Sequence, residues 1–304
     1  MSDIPMEAAP VAEKAPDAPV RVLSEGLASW LLVSPLAILL AIFLVIPIAV
    51  IVTVSFWGYN EWNFYPDFTF ENYEYLLTSA VTFDTYVKTF SYVLMAWAFT
   101  AAIGFAVAYF LAFHVRSTVW QVALFLVCTV PFWTSNIIRM ISWIPFLGRN
   151  GLANEVLLQA GLIETPLEFL LFSDFAVVLA FVHLYTLFMV VPIFNSMMRI
   201  DRSLIEAARD NGASPFQILT NVILPLSKPG LMIGSIFVVT LVMGDFITVR
   251  FMSGSQSASV GRIIQNEIAL LQYPAAAASA VVLLITVLIM IAVMLRLVDI
   301  RKEL

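Results

Sequence analysis

Charge is scarce in this sequence, and so are the side chains that do chemistry. Of 304 residues, 12% are Asp, Glu, Lys or Arg and 61% are hydrophobic. A mean hydropathy of +0.95 exceeds what a water-soluble core can hide, so lipid is the solvent for most of the chain. The single cysteine, Cys128, lies in an apolar run, which excludes an internal disulfide. The two histidines, His114 and His183, have no partner at metal-ligand spacing, and His183 reads as a hydrogen-bonded packing residue. No G-x-x-x-x-G-K-[ST] occurs, so the chain has no phosphate cradle with which to hydrolyse ATP. No basic stripe is available to neutralise phosphates, which excludes nucleic acid as a partner. Clustered acids, bases or metal ligands are missing too, and with them the case for a membrane enzyme.

What is present is apolar length. Six runs of about 20 mainly apolar residues fall near 30–57, 89–115, 119–146, 175–198, 231–252 and 274–297. They predict an all-α, polytopic membrane protein with six transmembrane helices over 29–300. A disordered cytoplasmic tail at 1–28 would precede it and a short tail at 301–304 would follow. The Pro/Ala/Glu-rich N-terminus has neither an apolar run nor a basic start, so it does not read as a cleavable signal. Lys14, Arg21, Arg116, Arg199, Arg202, Arg209, Lys228, Arg296, Arg301 and Lys302 share one side of a six-span arrangement, whereas only Lys88, Arg149, Arg250 and Arg262 fall on the other. Ten against four places both termini in the cytoplasm. The first outer loop carries Glu61, Asp67, Glu71, Glu74 and Asp84, so the net charge of −6 reflects acids that face outward.

Residues 206–225, "EAARDNGASPFQILTNVILP", form a polar interruption between two spans. Ser203 and Glu206, and then Ser214 and Gln217, have capping-box spacing at the start of two successive short helices. Gly212 stands between them, where a helix must end with positive φ, and Pro215 occupies a first helical position, where its missing N–H costs nothing. One reading is an amphipathic hairpin lying on lipid headgroups, although "EAARDNGAS" lacks the basic, aromatic-rich face such hairpins use. The other is a rigid lever that docks into a second protein, with Ala207, Ala208 and Ala213 small enough to let its surface approach.

The spacing Glu206-Ala207-Ala208, three residues, Gly212, nine residues, Val222, one residue, Leu224-Pro225 resembles the EAA motif of bacterial ABC-importer permeases, with Val222 where that family has isoleucine. Over roughly residues 30–300, "PFWTSNIIRMISWIPFLGRNGLANEVLLQAGLIETPLEFL", "YTLFMVVPIFNSMMRID" and "LVMGDFITVRFMSG" resemble the spermidine/putrescine-type permeases, their first permease subunit more than their second. The resemblance implies the type I ABC-importer permease fold in a bacterial inner membrane, and translocation of a small organic cation such as putrescine or spermidine. A segment at about 199–229 would couple to an ATP-binding subunit through Glu206, Ala207, Ala208, Gly212, Ala213, Ser214, Pro215, Leu224 and Pro225. It implies as partners a homologous, non-identical permease, two ATP-binding subunits that hold ATP and Mg, and a periplasmic solute-binding protein. No cofactor and no catalysis are expected of this chain itself. Another small solute, an amino acid derivative or a quaternary amine, is the alternative cargo.

Polar groups inside spans are costly and mark cavities or partners. At 1.5 Å per residue, Asp245 lies about 22 Å outward from Gly230, and Arg139 about 30 Å outward from Val119, which puts both in the outer half. They are either a buried ion pair or groups on a solute path together with Trp133, Asn136 and Tyr185, where aromatic faces and a carboxylate suit a desolvated amine. Trp143 reads instead as an interface anchor, and the aromatics of "FWGYNEWNFYPDFTFENYEY" as packing that loop against the membrane face. A secondary transporter would show internal repeats, and none is evident. The charge asymmetry is directly testable. Ser203→Cys should react with impermeant reagents only from the cytoplasm and Thr78→Cys only from outside, and the opposite pattern would invert the topology.

Overall fold

The computed structural model describes residues 25–60, 63–254 and 256–297, apart from the side chains of residues 25–29 and 31. The expected tails therefore fall largely outside the described residues, but helix already begins at Glu25, inside the stretch read as tail. The chain separates into two compact units, one up to Val50 and one from Ile51 onward.

In the first unit, α1 (Glu25–Leu40) passes through a π turn (Ala41–Val45) into α2 (Ile46–Val54), which runs on into the second unit. Its described apolar side chains, Trp30 and those from Leu32 through Val50, are exposed. The π turn sits just ahead of Pro47, which has no N–H to give the carbonyl four residues back, so the helix widens there instead of clashing.

The second unit begins with a two-residue ladder, β1 (Gly58–Tyr59) against β2 (Phe64–Tyr65), and α3 (Glu71–Thr78). The loop around them packs on itself: the rings of Phe56 and Phe68 stack at 5.0 Å, with Phe70 and Tyr73 against Phe56. Then come α4 (Ala80–Tyr109), α5 (Thr118–Thr129), α6 (Asn136–Leu147), α7 (Leu152–Gln159) and α8 (Asp174–Met197). These are followed by α9 (Arg202–Asp210), α10 (Pro215–Ile218), α11 (Leu224–Gly244), α12 (Ile247–Met252), α13 (Val260–Ala269) and α14 (Tyr273–Leu297). Among the described residues five stretches are long and apolar enough to cross a membrane: Leu32–Val54, Ala80–His114, Glu168–Met197, Pro215–Gly244 and Tyr273–Arg296.

A further apolar stretch is bent. Thr118–Trp133 and Asn136–Gln159 meet at 88°, where the sequence predicted one span over 119–146. The helix tightens to a 3-10 turn around Pro131, and Thr134 and Ser135 are extended at ψ 149° and 139°. The placement of Arg139 by counting along a straight helix fails for that reason. The fifth span also ends earlier than expected, since α11 stops at Gly244 rather than continuing to 252.

The core lies where α4, α8 and α11 meet, with Tyr92, Ala96, Val177, Phe181, Met189, Ile193, Val238 and Met243 all at most 5% exposed. The helices approach closely because two glycines one turn apart, Gly230 and Gly234, face α8: a Cβ on Gly234 would stand 2.7 Å from Met189 Sδ, and one on Gly230 would strike the Pro192 carbonyl.

At the end of the bundle away from α9, Asp174 opens α8. Its Oδ1 accepts hydrogen bonds from Tyr92 Oη and, at 2.7 Å, from Ser257 Oγ, and its Oδ2 lies 3.2 Å from Lys88 Nζ. The ion pair is half exposed and worth only about 0–1 kcal/mol. Tyr92, by contrast, is 1% exposed and has its hydroxyl satisfied there. Asp174→Ala should therefore cost about 1–3 kcal/mol by orphaning Tyr92, whereas Lys88→Met should cost less than about 1 kcal/mol. Thermal unfolding of the two variants in one detergent checks this, and a larger loss for Lys88→Met would show that the charge pair dominates.

Candidate functional site

At the end of α11, Asp245 leaves the helix with φ −80° and ψ 116°. The first amides of α12 then need acceptors that lipid cannot supply. Asp245 provides one: its Oδ1 accepts from the Thr248 N–H at 2.8 Å, and its Oδ2 accepts from Thr248 Oγ1 at 2.7 Å and Tyr185 Oη at 2.6 Å. Its own carbonyl accepts from Ser259 Oγ at 3.2 Å. The half-buried carboxylate thus caps α12 and borders a cavity of about 330 Å³ lined by Asn136, Met140, Tyr185, Thr240, Gly244 and Thr248 among others.

Three of the sequence candidates, Asp245, Tyr185 and Asn136, meet in this cavity. Arg139 does not pair with Asp245. Its Nη2 donates to Asn136 Oδ1, its guanidinium lies over the Phe132 ring at 5.7 Å, and its Nε and Nη1 are buried without a partner among the described residues. The physical reason is the 88° bend, which redirects α6. Trp133, 88% exposed, stands outside the cavity. Trp143 donates through Nε1 to His183 Nδ1 at 2.9 Å, so the expectation of a hydrogen-bonded His183 holds.

The hairpin is built from local chemistry. The predicted capping box at Ser203 and Glu206 is not formed: Asp201 is the N-cap, accepting from the Ser203 N–H at 2.9 Å, because its carboxylate stands ahead of the first turn while Ser203 is already inside it. That backbone bond holds the exposed Asp201 carboxyl below its usual range. Gly212 has φ +80°. Ala213 N–H reaches the Ala208 carbonyl at 3.0 Å and Gly212 N–H the Arg209 carbonyl at 2.9 Å, the paired bonds of a Schellman turn. The second box is formed in full: Ser214 Oγ accepts from the Gln217 N–H, Gln217 Oε1 from the Ser214 N–H, and Pro215 begins α10.

The second arm is no separate short helix. From Pro215 through the π turn Leu219–Ile223 to Gly244 it is one run of 30 residues. As at Pro47, the π turn stands just ahead of a proline, here Pro225. Glu206, Ala207, Gly212, Ser214, Pro215 and Leu224 are exposed, while Ala208, Ala213 and Pro225 are half-buried. Sequence reasoning passed over Phe216, an apolar side chain 72% exposed at the hairpin tip, whose signal was its place inside the Ser214–Gln217 capping box.

No protein-family model matches the chain. It is similar to the spermidine/putrescine transport system permease protein PotB of Escherichia coli K12, 33% identical over 256 residues that cover 84% of this chain and 92% of that one. A shorter likeness, 33% over 104 residues, covers 34% of this chain and 39% of the spermidine/putrescine transport system permease protein PotC of the same organism. Among solved structures, a chain of a bacterial alginate ABC transporter crystallised with a pentasaccharide-bound periplasmic protein superimposes with a TM-score of 0.73, covering 91% of this chain and 95% of that one at 16% identity. The fold is therefore that of the ABC-transporter chain.

The capping role of Asp245 separates two substitutions. Asp245→Asn keeps an acceptor for the Thr248 amide and should leave the melting temperature nearly unchanged. Asp245→Ala orphans that amide and the Tyr185 hydroxyl, at a cost of about 1–3 kcal/mol. Equal destabilisation by both, read from thermal unfolding, would mean that the charge and not the cap holds the break.

Proposed function

We propose a function from one premise: this chain belongs to the spermidine/putrescine transport system permease family of bacterial ABC transporters. It is a multi-pass membrane protein and a transport subunit rather than an enzyme. In our reading it forms one half of the membrane path of an ATP-driven importer for polyamines, with both termini in the cytoplasm. A homologous second permease would complete the path, two ATP-binding subunits would hold ATP and Mg, and a periplasmic binding protein would deliver the cargo. The short likeness to a second permease supports a non-identical pair.

The observation that carries the coupling role is the rigid, doubly capped turn at Gly212, with Phe216 exposed at its tip. A partner that grips Ala207, Ala208 and Phe216 would move the helix that ends at Asp245. The cavity there supplies a carboxylate, a phenol and an amide for an amine that has left water. One observation favours a second cargo: the orphaned Nε and Nη1 of Arg139, beside Asn136, suit a solute that carries a carboxylate as well as an amine.

Gly212→Val forces a β-branched residue into the left-handed region, about 1 kcal/mol or more of strain at the turn. The variant should reach the membrane with its partners and lose both solute-stimulated ATP turnover and uptake. Wild-type vesicles tested with putrescine, spermidine, a quaternary amine and an amino acid derivative should respond to the polyamines first. Undiminished coupling in Gly212→Val would remove the hairpin from the mechanism, and a response confined to the amino acid derivative would move the cargo to the second reading.

A further inference from the structure

The cavity at Asp245 has an apolar neighbour. About 310 Å³ of space opens between the end of α5, α8 and α11, lined by Phe132, Phe188, Val191, Pro192 and Phe237 among others. Among the described residues no polar atom faces it: Thr129, which borders it, turns its hydroxyl back to the Leu126 carbonyl at 2.7 Å. Water would find none of the polar partners it needs there, so the space suits hydrocarbon.

The two cavities follow each other along the same three walls. On α8, Tyr185 lines the first, and Phe188 and Val191 line the second, within about 9 Å of helix. α11 runs the other way and keeps the matching order, with Phe237 at the second cavity and Thr240 and Gly244 at the first. The third wall passes from Thr129 and Phe132 at the second to Asn136 and Met140 at the first, across the break between α5 and α6. Rings join the two spaces: Tyr185 and Phe188 have centroids 6.2 Å apart, and Phe188 lies 4.8 Å from Phe132 and 6.1 Å from Phe237. A solute whose ammonium group sits at Asp245 and Tyr185 can therefore lay an apolar remainder over these rings, toward the hairpin. Methylenes suit that place better than a second ammonium, because the Arg139 guanidinium already lies over Phe132 and would repel one.

We infer that the two cavities are one elongated site, in which Asp245, Tyr185 and Asn136 take an ammonium group and Phe132, Phe188 and Phe237 take the unbranched hydrocarbon run that follows it. Such a site selects cargo by the length of that run as well as by charge. It rests on the amine cargo proposed above. The full chain, assembled in lipid nanodiscs with its partner permease and ATP-binding subunits but without a binding protein, is titrated with ethyl-, butyl- and hexylammonium. The concentration giving half the rise in melting temperature should fall about fourfold for each methylene added. Hexanol should not reproduce the hexylammonium response. Val191→Phe, which fills the apolar cavity, should bring the hexyl-to-ethyl ratio close to one, and Phe237→Ala should reduce it. Phe237 is 47% exposed, so its truncation keeps the test open if the other variant fails to assemble. No stabilisation by any of the three amines overturns the amine cargo and this site together. Stabilisation that ignores chain length, or a ratio undiminished in either variant, overturns the elongated site alone, as does an equal response to hexanol, which would make the apolar cavity a groove for lipid chains.

Discussion

A peptide group in hydrocarbon must find its hydrogen-bond partner inside the protein, and that requirement governs where this chain can break. α5 yields to α6 at Thr134 and Ser135, and α11 yields to α12 at Asp245. Each break exposes helix ends that only polar side chains can satisfy, so polar residues collect there for structural reasons before any functional ones. Asp245 caps α12, and Asn136, at the start of α6, takes the Arg139 guanidinium. Both breaks then contribute to one cavity, with Tyr185 supplied by the unbroken α8. The place where a solute could meet a carboxylate is thus also the place where the fold needs one.

Legibility followed the distance over which each bond acts. Gly212, Pro215 and the Ser214–Gln217 box were readable because their partners lie within five residues, where spacing alone fixes geometry. The spans were readable from apolar length, and the family from the long motif laid over the hairpin. The breaks were not, because hydropathy runs on unchanged through 119–146 and 231–252, and a helix that stops inside an apolar run leaves no trace in composition. Pro131 and the Thr134-Ser135-Asn136 run were the available signals for the first, and Gly244-Asp245 for the second. The node at Asp174 was beyond reach as well: its bonds to Tyr92 and Ser257 span 82 and 83 residues, and the Val260 N–H that meets Thr89 Oγ1 spans 171. The choice between an Arg139–Asp245 pair and a solute path was out of reach for the same reason, since opposite charges in one apolar layer carry no information about the bend that separates them.

The continuity of the helix from Pro215 to Gly244 links the two ends of the site. Thirty residues at 1.5 Å each make a rod of about 45 Å, fixed at one end by the Ser214–Gln217 box and ending at the other in the capped break at Asp245. Between them Gly230 and Gly234 press the rod against Met189 and Pro192 of α8 with no side chain in the way, so this close contact is the natural fulcrum. In the proposed mechanism, a displacement of the hairpin tip toward one side would carry the Asp245 end toward the other. The π turn ahead of Pro225 sits on the hairpin side of the fulcrum, where a widened helix can absorb part of that motion. Tyr185 lies one turn before Met189 on α8, so the phenol that holds Asp245 belongs to the same face on which the rod turns. Coupling as proposed would therefore need no relay of separate contacts: one helix, one close contact and one capped break connect the hairpin to the cavity.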